Sequence, residues 1–180
     1  MRLRSIFVSV ATVGLMMGPA FAHGILRSVA GAKAECTITG TAADDNITGT
    51  TRADVICTRA GSDSADGLGG NDIIRGGQGD DAATGTYQGL CGGDGSDIVK
   101  GQADDDSVEG AGQNDKLYGG QGADYLGDGG ATGPQCQTSE PGNDFLKSRD
   151  GVSGNDIVAG GDGTDTCVVD AGDHVLNCEL

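Results

Sequence analysis

Apolar residues are sparse along this chain, and from residue 47 onward they fall at a fixed place. Ile47, Ile56, Ala65, Ile74 and Ala83 stand nine residues apart, as do Val99, Val108, Leu117 and Leu126. Leu146, Val158 and Cys167 close the series, the last two again nine apart. Two residues before each stands an aspartate: Asp45, Asp54, Asp63, Asp72, Asp81, Asp97, Asp106, Asp115, Asp124, Asp144, Asp156 and Asp165. Each of these twelve units can be written G-G-x-G-x-D-x-U-x, with aspartate at position six and an apolar residue or cysteine at position eight. Position one is glycine except at Thr58 and Ser139; position four is glycine except at Ala43, Arg52, Asp104 and Gln113. The units 76–84, 92–100, 119–127 and 160–168 are complete.

A period of nine is neither the 3.6 of a helix nor the sustained alternation of a long strand. It predicts a repeating turn followed by a very short strand. The first six residues reverse the chain, using glycines that reach positive φ. The last three form the strand, whose middle side chain faces inward while its neighbours face out. Three interruptions, at 85–91, 128–138 and 148–150, are expected to be surface loops let out of the stack.

Composition raises the question of what holds such a chain together. Leu, Ile, Val and Phe make up about 16% of the residues after position 22, under the roughly 20% at which disorder becomes the default. There is no Trp, and the formal net charge is −16. A nucleic-acid partner is excluded on this balance, because phosphate binding needs a basic face. The amino terminus reads as an export signal: Arg2 and Arg4, a short apolar run over 6–17, then Ala20-Phe21-Ala22 in a small-x-small cleavage pattern. The apolar run is too short to span a membrane, and no later segment approaches the required length. The chain is therefore expected to be secreted and to begin, once mature, at His23. In that oxidising setting the six cysteines, none spaced as CxxC, suggest disulfides rather than zinc.

The repeat resembles the RTX, or haemolysin-type, calcium-binding nonapeptide repeats. That resemblance covers residues 40–168 and implies an all-β fold, a parallel β-roll (a two-sided β-solenoid) of about twelve units, two units to a coil. Units 18 residues apart would then stack, placing Asp54 over Asp72 and Asp97 over Asp115 at about 4.8 Å. Two unit charges about 5 Å apart repel by roughly 3 kcal/mol at an effective dielectric of about 20. A doubly charged cation between coils reverses that sign. Calcium suits carboxylates and turn carbonyls, accepting about 6–8 oxygens in loose geometry, whereas magnesium demands a tight octahedron and keeps its water. The twelve position-six aspartates are thus the expected ligands of several calcium ions. The position-five residues Asp44, Asn71, Asp80, Asp105, Asn114, Asn143 and Asn155 are expected to favour the turn instead.

Other chemistry finds no foothold. There is no HExxH helix, no EF-hand loop pattern, and no spare Ser-His-Asp set outside the repeats. An amino-terminal copper site would need a second histidine near His23, and the only other one is His174. An ice-binding face would need one outward column to repeat, and positions three and nine are both mixed. The expected layout is a signal peptide at 1–22, a lead-in at 23–39, the roll at 40–168 and a carboxy-terminal cap at 169–180. The candidate disulfides are Cys167–Cys178, which would close the cap, with Cys36–Cys57 and Cys91–Cys136 as the neighbouring choices. The expected function is a secreted, non-enzymatic calcium-binding protein that folds on binding the ion. The alternative is a calcium-gated adhesion or glycan-binding module with a cell-surface partner.

Overall fold

The computed structural model describes residues 34–82, 89–127 and 141–179. All regular structure in them is strand. Two parallel sheets of seven strands form, and successive strands alternate between them, so each pair of units completes one coil. One sheet stacks β1 (Ile38–Thr39), β3 (Val55–Ala60), β5 (Ile73–Gln78), β7 (Ile98–Ala103), β9 (Lys116–Gln121), β11 (Phe145–Lys147) and β13 (Thr166–Val168). The other stacks β2 (Asn46–Thr48), β4 (Ser64–Asp66), β6 (Leu90–Asp94), β8 (Ser107–Gly112), β10 (Tyr125–Gly127), β12 (Ile157–Ala159) and β14 (His174–Leu176). This is the parallel β-roll that the repeat implies.

The position-eight column is the core. Ile56, Ile74, Val99, Leu117, Leu146 and Cys167 stack along the first sheet. Against them lie Ala65, Leu90, Val108, Leu126 and Val158 of the second sheet. One side chain per nine residues leaves a core only one residue deep from each sheet. Backbone hydrogen bonding between coils therefore carries much of the cohesion.

The turns show why glycine is spaced as it is. Position two takes positive φ at Gly77, Gly93 and Gly120, and position four at Gly61, Gly79 and Gly163. At Gly77 a side chain would run into the carbonyl of Arg59 in the coil before. At several places where glycine is missing the chain bends the same way: Arg59, Gln102 and Ala111 at position two, and Asp104 and Gln113 at position four, have positive φ. Each such residue costs on the order of 1–2 kcal/mol, which packing must offset.

Two features differ from the expected layout. Asp81 belongs to its row, but the core position after it is filled by Leu90, paired with Ala65 and Val108. The extra residues therefore enter immediately after Asp81 and return at Gly89, so Cys91 lies in β6 and not in a loop at 85–91. A leucine buries far more apolar surface at that point than Ala83 could, and this decides the register. Residues 83–88 lie outside the described set. The stack also extends past 40–168 at both ends. Ile38 pairs with Ile56 in β1, and Val175 pairs with Val158 in β14.

Disulfides join Cys36 to Cys57 (Cα–Cα 5.9 Å) and Cys167 to Cys178 (Cα–Cα 5.8 Å), one near each end of the roll, as expected. Cys136 lies outside the described residues, and with it the Cys91–Cys136 pairing.

Candidate metal centre

All twelve position-six aspartates fall into two rows of six, one along each sheet. In the first row the backbone N–H of Asp54 donates to Oδ1 of Asp72 at 2.7 Å. Asp72 does the same to Asp97 (2.7 Å), Asp97 to Asp115 (2.8 Å), Asp115 to Asp144 (2.6 Å) and Asp144 to Asp165 (2.9 Å). In the second row Asp45 donates to Asp63 (2.7 Å), Asp63 to Asp81 (2.8 Å), Asp81 to Asp106 (3.1 Å), Asp106 to Asp124 (3.0 Å) and Asp124 to Asp156 (2.8 Å). Along both rows the aspartate carbonyls in turn accept from the amide that opens the next coil's strand, as Asp54 does from Ile73 and Asp97 from Lys116. One carboxylate oxygen thus extends the parallel ladder through the turn.

The other oxygen is left over. Oδ2 of Asp72, Asp81, Asp97, Asp106, Asp115, Asp124 and Asp165 is buried without a hydrogen-bond partner. A buried acceptor in that condition costs on the order of 1–3 kcal/mol, and more when charged. At Asp63 and Asp156 the hydroxyls of Thr58 and Ser148 stand close enough to favour the ionised form. The first unit of each row is different again. Oδ2 of Asp45 accepts from the amide (2.6 Å) and hydroxyl (3.0 Å) of Thr41, and Oδ2 of Asp54 from the amide and hydroxyl of Thr50, both at 2.8 Å. These two carboxylates are closed by their own turns.

Position one explains itself here. A Cβ added to Gly67, Gly76, Gly92, Gly101, Gly110 or Gly119 would strike Oδ2 of the aspartate in its own unit. At Gly76 and Gly92 it would also meet the position-one carbonyl of the next coil, 2.7 Å away. The missing side chain leaves a small oxygen-lined cradle between coils. The position-five side chains make a second ladder: Oδ1 of Asp44, Asn71, Asp80, Asp105, Asn114 and Asn143 each accepts the position-five amide of the following coil. They organise the turn, as expected. Asn155 instead donates to the carbonyl of Gly122.

Burial, reinforced by neighbouring carboxylates, pushes these acids up. Asp81 and Asp97 are raised to about 7, Asp106 and Asp115 to about 8, and Asp124 to about 6. Burial also raises Asp63, Asp72, Asp156 and Asp165. Such groups either hold a proton or need a cation. Among the described residues no three His, Cys, Asp or Glu side chains converge on one point. A cation would therefore be held by single carboxylates completed with backbone carbonyls. That is an all-oxygen set of loose geometry, which fits calcium and offers nothing to metals that prefer nitrogen or sulfur.

The sequence model of the RTX calcium-binding nonapeptide repeat matches in four copies, over residues 39–63, 48–83, 92–126 and 141–173. This chain belongs to that family. The family's repeats bind calcium through their aspartate-rich turns, and the two rows are where this RTX protein carries them. No curated protein and no solved structure matches the chain.

Five residues at the rows escaped sequence reasoning, Thr58 and Ser148 beside Asp63 and Asp156 among them. Thr41 and Thr50 carry a signal, a threonine four residues before the aspartate, which fits a turn that closes on itself. Glu179 accepts the amide of Asp165 through Oε2 at 2.6 Å and so ends the first row. Nothing in the repeat pattern points to it.

Proposed function

We propose that this RTX protein is an exported calcium-binding module without catalytic activity, in which the ion folds the roll. The observation that carries the reading is the series of buried Oδ2 atoms without partners, each beside a glycine whose side chain would fill the space. Those atoms make the ordered roll costly without a cation and favourable with one. Since the rows come together only in the stacked coils, ion-binding free energy becomes folding free energy. The acidic, apolar-poor composition supports an expanded chain when calcium is withheld.

Two measurements test it. Hydrodynamic radius, followed from chelator into millimolar calcium, is expected to fall sharply; an unchanged radius contradicts folding on binding. Amino-terminal sequencing of protein recovered from the growth medium is expected to begin at His23. Retention of the intact chain in the cell contradicts export.

A further inference from the structure

Three strands of the odd-numbered sheet gather every lysine of the described residues. Lys100 follows the core residue on β7, Lys116 precedes it on β9, and Lys147 follows it on β11. Register places Lys100 beside Tyr118 and Tyr118 beside Lys147, with Lys116 beside Phe145 in the parallel row. Lysine and aromatic ring therefore alternate in both directions across one outward face. The Lys100 ammonium lies 4.9 Å from the centre of the Tyr118 ring, and the Tyr118 and Phe145 rings are 5.9 Å apart at 53°. Lys116 and Lys147 are exposed, and the two rings are half-buried.

The surroundings make this patch distinctive. The chain carries 27 acidic residues, yet none occupies position seven or nine on any strand of this sheet, whereas Asp66 and Glu109 do on the other. The one ion pair among the described residues is Arg149 with Asp170, so all three lysines lack an acidic partner. In a protein of net charge −16, three unpaired ammonium groups on an acid-free face are placed for something anionic from outside.

We infer that this face binds an acidic polysaccharide, its lysines pairing with carboxylate or sulfate groups and the Tyr118 and Phe145 rings lying against sugar rings. A duplex nucleic acid or an anionic membrane presents dense charge over a broad surface, which the acidic turns at both edges of the sheet would repel. A flexible polymer with one charge every sugar or two can follow the lysines and stay clear of those edges. The inference deepens the module reading above and rests on the roll being folded.

The test uses the full calcium-loaded chain against immobilised polygalacturonate and dextran sulfate, with neutral dextran, duplex DNA and phosphatidylglycerol vesicles alongside. Binding to at least one acidic polysaccharide is expected, weakening as salt rises and absent on neutral dextran. The triple variant Lys100→Gln/Lys116→Gln/Lys147→Gln should bind at least tenfold more weakly. Arg52→Gln, which removes an exposed turn cation away from the face, should bind as the parent does. Equal binding by the triple variant would show calcium bridging two polyanions and would overturn the inference. So would failure to bind either polysaccharide, or a preference for DNA or vesicles. Circular dichroism in calcium confirms that each variant is folded. A chain that folds with calcium but ignores both polysaccharides overturns this inference alone; one indifferent to calcium overturns the module reading.

Discussion

The amide of Asp72 donates to Oδ1 of Asp97 at 2.7 Å, while Oδ2 of the same carboxylate has no protein partner. The two oxygens of one side chain thus have separate duties, and substitution can separate them. Asp97→Asn keeps an oxygen for the Asp72 amide and removes the charge and the second acceptor. It should weaken calcium binding while leaving the fold recoverable at higher calcium. Asp97→Ala also strands the buried Asp72 amide, an added cost of about 1–3 kcal/mol. Denaturant unfolding at saturating calcium should therefore rank the parent above Asn and Asn above Ala; equal Asn and Ala variants would contradict the ladder.

Asp45 and Asp54 share the sequence position of the other aspartates but not their condition. Thr41 and Thr50 already donate two hydrogen bonds to each second oxygen. Asp45→Asn is expected to leave the number of bound calcium ions unchanged by titration calorimetry, whereas Asp106→Asn should reduce it. A loss of equal size from Asp45→Asn would show that the threonine closure opens for the ion.

Acidity should act in opposite directions with and without calcium. Asp124 at about 6, Asp81 and Asp97 at about 7, Asp106 and Asp115 at about 8, and Glu109 at about 7 all lie above the unfolded carboxyl range near 4. The folded chain thus binds more protons than the unfolded one. The stability these groups contribute is fully present below about pH 4 and is lost as pH rises through 6 to 8. In chelator, β-structure should therefore increase on acidification from pH 8 to pH 5. With calcium present, protons compete for the same oxygens, so the calcium midpoint should move to higher concentration as pH falls. Near pH 7 the carboxyls of the expanded chain are already ionised, so calcium-driven folding should release almost no protons and its heat should not vary with the buffer's ionisation enthalpy. A buffer-dependent heat would show that protonated, folded rows exist before calcium binds.

Leu90 stands between Ala65 and Val108 in the core column, fully buried. Leu90→Ala should cost about 2–5 kcal/mol at saturating calcium, read by thermal or denaturant unfolding. A cost under about 1 kcal/mol would mean that the core does not depend on this register.

The fold was legible wherever one residue type did one job. The aspartate column held through every unit, and the apolar column through all but the one at Ala83, because each coil repeats the same contacts, so a missing turn glycine at Gln102 or Gln113 did not break the register. The irregular places were not legible. Ala83 fits the pattern at position eight, and only the packing against Ala65 and Val108 prefers Leu90 after the excursion. β14 follows a shortened turn ending in Asp173, too brief to be counted as a unit. The closure of Asp45 and Asp54, and the end of the first row at Glu179, depend on where individual oxygens point, which a column of aspartates does not record.

Far-UV circular dichroism during a calcium titration, with magnesium as control, tests the central claim most directly. The parent chain should gain β-structure cooperatively at roughly 10⁻⁴–10⁻³ M calcium, the range of extracellular calcium modules. Magnesium should do far less. Asp72→Asn and Asp115→Asn should shift the midpoint upward more than Asp45→Asn does. The same β-content in chelator and in calcium would contradict folding by the ion, and an equal response to magnesium would contradict calcium as the ligand that these oxygens select.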